Sequence, residues 1–234
     1  LKIQLTFYIT SVIIQWKIWK LFHESFVYSI YGIFNKNKIY GGFLMKQNTL
    51  ISNIVKIESK EKEILKNVLL VFGGTVFLSI LAQILIPLKP VPITLGSFAV
   101  TLMGLLYGRK LATATILSYV AAGTAGIPVF ANFKTGVLFS PSGGYVFGYI
   151  VAAIFLGYLA DKGFTKSYAK TILALIIANI IIYALGVLQL SLFVPNKDVF
   201  KLGVYPFLVG DTLKMMAVAS LVPTLWKFVP KNDK

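Results

Sequence analysis

The chain has 234 residues, of which 57% are hydrophobic and only 13% charged, and its mean hydropathy is +0.79. A soluble domain carries about 25% charged residues, so too little polar surface remains here to coat a water-soluble globule, and lipid is the natural neighbour of the excess. The formal net charge of +15 does not point to nucleic acid, because the basic residues lie in short runs between apolar stretches, as they do beside membrane helices. Cysteine is absent and histidine occurs once, at His23, which excludes disulfides, thiol catalysis and cysteine-based metal sites; no metal site is proposed.

Residues 1–44 fit the rest poorly. Leu5–Trp16 is apolar but short for a span, and the stretch after it is interrupted by Lys17, Lys20, His23 and Glu24. This segment reads as an N-terminal extension outside the core, either an upstream translation or an accessory interfacial segment. Residues 45–63, beginning at Met45, read as a cytoplasmic N-terminal segment. Residues 64–234 hold six long stretches almost free of charge and read as a six-helix membrane domain.

The predicted spans are Asn67–Leu88, Pro90–Gly108, Leu111–Phe133, Thr135–Ala160, Thr171–Asn196 and Val204–Trp226. The fold class is therefore all-α and polytopic. With the N-terminus inside, the inner connections hold twelve lysines and arginines (from Lys56, through Arg109, Lys110 and Lys162, to Lys234). The outer ones hold four, Lys89, Lys134, Lys197 and Lys201. The positive-inside rule then puts both termini in the cytoplasm. Gly108-Arg109-Lys110 is a tight hairpin between the second and third spans. The connection Thr124–Ser142 is long and apolar, and it is expected to fold over the outer face as a lid.

Few residues in these spans can carry chemistry. Asp211 and Lys214, three apart, share a face of the last helix, well inside its apolar stretch. A charge there is costly and must face the bundle interior or a cavity; the alternative is a self-neutralising pair that only orders the helices. Asn132, in the long loop, offers both a donor and an acceptor. Gly143 and Gly144 allow close backbone approach and Tyr145 adds an aromatic face with a polar tip, suited either to helix packing or to ligand contact. Gln83 either caps backbone groups between Ile86 and Pro90 or lines a cavity. No P-loop and no Ser/His/Asp set occurs, so the chain is not read as an enzyme or as its own ATPase.

Five motifs occur in order: Gln83-x-x-Ile86-Pro87-Leu88, Pro90-Val91-Pro92-Ile93-Thr94-Leu95, Gly126-Ile127-Pro128-Val129-Phe130, Pro141-Ser142-Gly143-Gly144-Tyr145 and Gly210-Asp211-x-x-Lys214. Together, over roughly residues 64–230, they resemble the BioY family, the biotin-binding S components of energy-coupling factor transporters. The resemblance implies a six-helix, outward-facing vitamin pocket in a bacterial cytoplasmic membrane, with Asn132, Asp211 and Lys214 on biotin-contacting positions. It implies a transmembrane coupling (T) subunit and two ABC-type ATPases as partners. ATP would then be used by those partners, and this chain would hold no cofactor. It also implies a docking face at Thr75 and Ser79, where alanine is usual. Serine at Ser142 replaces a frequent threonine, and Gly96 a frequent glutamine.

Biotin's chemistry matches these residues. Asp211 and the Asn132 carbonyl can accept from the ureido N–H groups, and the Asn132 amide can donate to the ureido oxygen. Lys214 either neutralises Asp211 or meets the ligand carboxylate. Phe130, Phe133 and Tyr145 can supply apolar walls. Competing readings are an S component for a different vitamin, a proton-coupled carrier in which Asp211 titrates, and a membrane scaffold without a small ligand.

Overall fold

The computed structural model describes residues 49–54, 60–195 and 197–229. The reading of residues 1–44 as an extension lies outside the described residues. Helix α1 is a single short turn, Leu50–Ile54, and the Ser52 amide donates to Thr49 Oγ1 at its start. The long helices are α2 (Lys60–Gln83), α3 (Gly96–Thr124), α4 (Gly143–Asp161), α5 (Tyr168–Leu190) and α7 (Tyr205–Leu225), with the short α6 (Val199–Gly203) before the last. Strands β1 (Leu85–Ile86) and β2 (Ile93–Thr94) pair antiparallel between α2 and α3. Asp198 caps α6, accepting from the amides of Phe200 and Lys201.

Helix α3 is two limbs rather than one rod. Gly108 sits in its middle at φ 78° and ψ 174°, a conformation natural only to glycine. A continuous helix would hold Ser97 and Tyr119 about 33 Å apart, yet both line one cavity. A methyl group at Gly74 of α2 would fall 3.1 Å from Met103 Sδ on the first limb and 2.8 Å from Thr115 Cγ2 on the second. The limbs therefore fold back on each other at the expected Gly108-Arg109-Lys110 turn. The Arg109 amide donates to Asp161 Oδ2 at the end of α4, which pins that turn. With α3 counted as two, the described residues hold six long helical segments.

The bundle buries small and branched side chains inside and leaves large apolar ones outside. Met103, Ile116, Val120 and Leu78 form one part of the core, between α2 and the two limbs. Leu105, Leu156, Leu175 and Val222 form another, between the first limb, α4, α5 and α7. Leu69, Phe72 and Ile80 on α2, Ile180 and Leu188 on α5, and Leu213 and Met216 on α7 are exposed. A helix apolar on all sides is suited to hydrocarbon on its outer face. By length and composition α2, α4, α5 and the segment around α7 are each able to cross a membrane.

Five predicted spans run past the helices that form, the first of them to Leu88 where α2 stops at Gln83. Pro90 and Pro92 fall in the β1–β2 connection, not in a helix; α3 starts at Gly96, where the backbone amide donates to Thr94 Oγ1. The third span ends at Thr124, and the fourth helix begins only at Gly143. The apolar residues between them form loop and two 3-10 turns, Ala131–Phe133 and Val137–Phe139. The fifth helix likewise stops at Leu190, six residues before Asn196.

Candidate ligand-binding site

A cavity of about 210 Å³ opens between the β1–β2 connection, the first limb of α3, the loop before α4, and α4, α5 and α7. Asp211 and Lys214 sit in its wall one helical turn apart, as their spacing requires. Both are largely buried, with side chains 8% and 12% exposed. The Lys214 ammonium donates to Asp211 Oδ1 (2.7 Å), to the Thr94 carbonyl (2.6 Å) and to Ser97 Oγ (3.1 Å). Asp211 Oδ1 accepts a further bond from Ser97 Oγ (3.2 Å), and Oδ2 accepts one from the Tyr183 hydroxyl.

This arrangement removes the main objection to a buried ion pair, which is tolerated only when its remaining donors and acceptors are satisfied. All three Lys214 N–H groups are engaged inside the wall. Lys214 thus serves in this arrangement as the neutraliser of Asp211. Asp211 Oδ2 still has a lone pair beyond the Tyr183 bond. The polar spot of the cavity is therefore a charge-neutral cluster with spare acceptor capacity. Aromatic rings form much of the rest: Tyr119, Phe130, Tyr145, Tyr149 and Phe207. Tyr145 is fixed at its tip by donating to the Gly203 carbonyl (2.7 Å), and its ring lies 5.9 Å from that of Phe207.

The sequence-predicted residues divide clearly. Asp211, Lys214, Tyr145 and Phe130 line the cavity; Asn132, Gly143, Gly144 and Gln83 do not. Asn132 stands exposed at a loop tip closed by paired backbone bonds between Phe130 and Lys134. Its φ of 59° is one that asparagine tolerates, whereas φ 54° at Phe133 is costly for a bulky residue. Gln83 explains how this tip persists. Its side chain neither caps the segment from Ile86 to Pro90 nor lines the cavity. Its Nε2 donates to the carbonyls of Val129 and Phe130, and its Oε1 accepts from the Phe133 amide (3.0 Å). Gln83→Leu is expected to raise amide hydrogen exchange across residues 129–134 by roughly tenfold while α2 stays protected. Unchanged exchange would mean that the backbone pairing alone holds the loop.

Gly143 and Gly144 serve packing in this structure. A methyl group at Gly143 would meet the Leu138 carbonyl oxygen and Gln189 Nε2, and one at Gly144 the Leu185 carbonyl oxygen. Gln189 in turn donates to the carbonyls of Leu138 (2.6 Å) and Ser140 (2.9 Å), tying the loop to α5. On α2, Thr75 donates to the carbonyls of Val71 and Thr115, and Ser79 to that of Thr75; both residues are half-buried.

Sequence reasoning missed Thr94, Ser97, Tyr183 and Lys134. Tyr183 carried a readable signal, a hydroxyl in the middle of a largely apolar helix, where a buried polar tip needs a partner. Ser97 and Thr94 carried none, because small hydroxyl residues commonly bond their own backbone.

The family model described as "BioY family" matches residues 47–231. Biotin transporter BioY of Thermotoga maritima is 41% identical over 149 residues, covering 62% of this chain and 87% of its own length. Biotin transporter BioY2 of Lactococcus lactis subsp. cremoris is 32% identical over 152 residues, covering 62% of this chain and 81% of that protein. The crystal structure of the S-component for biotin from an ECF-type ABC transporter superposes with a TM-score of 0.63 at 26% identity, covering 74% of this chain and 95% of the other.

Proposed function

The chain belongs to the BioY family, and from that premise we propose that it is the substrate-specific subunit for uptake of biotin across the cytoplasmic membrane. The relatives carry the name biotin transporter, and the matching crystal structure is that of a biotin S-component. The single observation in this chain that carries the reading is the neutral Asp211–Lys214–Ser97–Tyr183 cluster in the wall of a cavity lined by several aromatic rings. Such a site suits a small molecule with one compact polar head and an apolar body.

In this reading a ureido N–H donates to the free lone pair on Asp211 Oδ2, and the thiophane ring packs on Tyr145 and Phe130. Asn132 offers its amide to the ligand from the loop tip between the cavity-lining Ala131 and Lys134. The chain performs no chemistry. Uptake is energised by ABC-type ATPases acting through a transmembrane coupling subunit, which docks along α2 with Thr75 and Ser79 in the contact. ATP belongs to those partners. Both termini face the cytoplasm, and residues 64–234 form the substrate-binding domain.

Purified protein is expected to retain radiolabelled biotin, with unlabelled biotin displacing it and other vitamins failing to do so. Displacement by a different vitamin at lower concentration would redirect the reading to an S component of another specificity. Biotin uptake without ATPases that stops when the proton gradient collapses would favour the carrier reading instead.

A further inference from the structure

Three charged side chains line the cavity: Asp211, Lys214 and Lys134. The first two neutralise each other at 2.7 Å. The cavity therefore carries one uncompensated charge, the positive charge of Lys134. The two centres also differ in depth. Asp211 is 6% exposed, whereas Lys134 is an exposed residue of the loop before α4, at the open side of the cavity. Its backbone is fixed by reciprocal bonds with Phe130, which leaves the side chain free to reach into the opening.

From this charge balance we infer that Lys134 is the anchor for the ligand's carboxylate and sets the direction in which the ligand lies. The inference rests on the biotin reading and deepens it. A monoanionic ligand with a rigid neutral head and a flexible acid tail fits one way round. The head goes down to the neutral cluster, where no net charge would reward an anion and every Lys214 N–H is already engaged. The tail stays at the mouth, where Lys134 is partly hydrated and a carboxylate keeps most of its own hydration. The reverse orientation would bury the carboxylate against the neutral cluster, with no free cation to offset its desolvation.

The test compares biotin with biotinamide, which keeps the ring system and lacks the charge. Binding of each is measured by isothermal titration on the unaltered protein and on Lys134→Ala, Lys134→Glu and Lys134→Arg. Lys134→Ala is expected to weaken biotin about five- to tenfold and leave biotinamide unchanged. Lys134→Glu should weaken biotin further, again without effect on the amide, and Lys134→Arg should retain the unaltered affinity. Raising salt should reduce biotin affinity in the unaltered protein and not in Lys134→Ala. Equal losses for biotin and its amide, or no loss for either, would overturn the assignment while leaving biotin binding intact. If the unaltered protein binds neither compound, the biotin reading falls, and this orientation with it.

Discussion

Lys214→Ala is expected to lower biotin affinity by more than about a hundredfold and to reduce thermal stability in detergent. The substitution leaves the Asp211 carboxylate buried with only the hydroxyls of Ser97 and Tyr183 as donors. Removing one partner of a buried pair costs about 3–5 kcal/mol, because the other charge stays behind uncompensated. The ammonium bond that helps fix the Asp211 carboxylate is lost as well, so the ureido group meets a less firmly held acceptor. A double variant, Asp211→Asn with Lys214→Met, separates the two roles of the pair. It should recover most of the lost stability, since no charge remains unpaired, and still fail to bind. Equilibrium binding and a melting curve on the same samples read both effects. Full binding by Lys214→Ala would remove Asp211 from the site. Recovered binding in the double variant would reduce the cluster to a structural ion pair.

The second large effect is expected at Gly144. Its missing side chain lets α4 lie against α5 so closely that a methyl group would sit 2.2 Å from the Leu185 carbonyl oxygen and 3.0 Å from Gly186 Cα. Both obstacles are backbone and cannot swing aside as a long side chain would. Gly144→Leu must separate the helices, and overpacking of this kind costs roughly 1–3 kcal/mol at least. For a chain of this size that corresponds to a fall in melting temperature of about 5–10 °C. Tyr145 moves with the helix, so biotin binding should fall in parallel. Gly73→Leu is the matched control. Nothing lies within 4 Å of a β-carbon placed there, on an exposed position of α2. That variant should melt within about 2 °C of the unaltered protein. Similar behaviour of the two variants would refute the packing account.

How much of this was legible in the sequence depends on which physical signal each feature leaves. Charge-free stretches of membrane length announced the six helical segments, and Gly108-Arg109-Lys110 announced the reversal. The helix ends were less legible. Pro90, Pro92, Phe130 and Val137 are as apolar as any span, yet they wall a cavity from irregular backbone. Hydropathy reports exclusion from water and does not distinguish a helix from a loop that achieves it. Asp211 and Lys214 were visible because a charge in an apolar run demands a reason. Gln83 was visible as a polar residue, but its partners beyond its own helix are backbone groups 46 to 50 residues away, where no sequence pattern marks them. The same holds for Ser97, whose importance comes from the Asp211 carboxylate 114 residues further on. Lys134 looked like one outer lysine among four; only the fold gives it a place at the cavity mouth.

The break at Gly108 bears on where room for a ligand comes from. The first limb of α3, residues 96–107, rises about 18 Å, well short of the ~30 Å of a bilayer's hydrocarbon core. The bundle is therefore one column shorter at this position than around it. The cavity, roofed by the β1–β2 connection and the loop before α4, lies beyond the end of that short column. Space for the ligand is thus made by ending a helix early rather than by forcing neighbours apart, so the surrounding helices keep their tight contacts. Helix length and ligand size are set by the same stretch of chain. An insertion that extended the limb past Gly96 would fill the volume that its shortness leaves open.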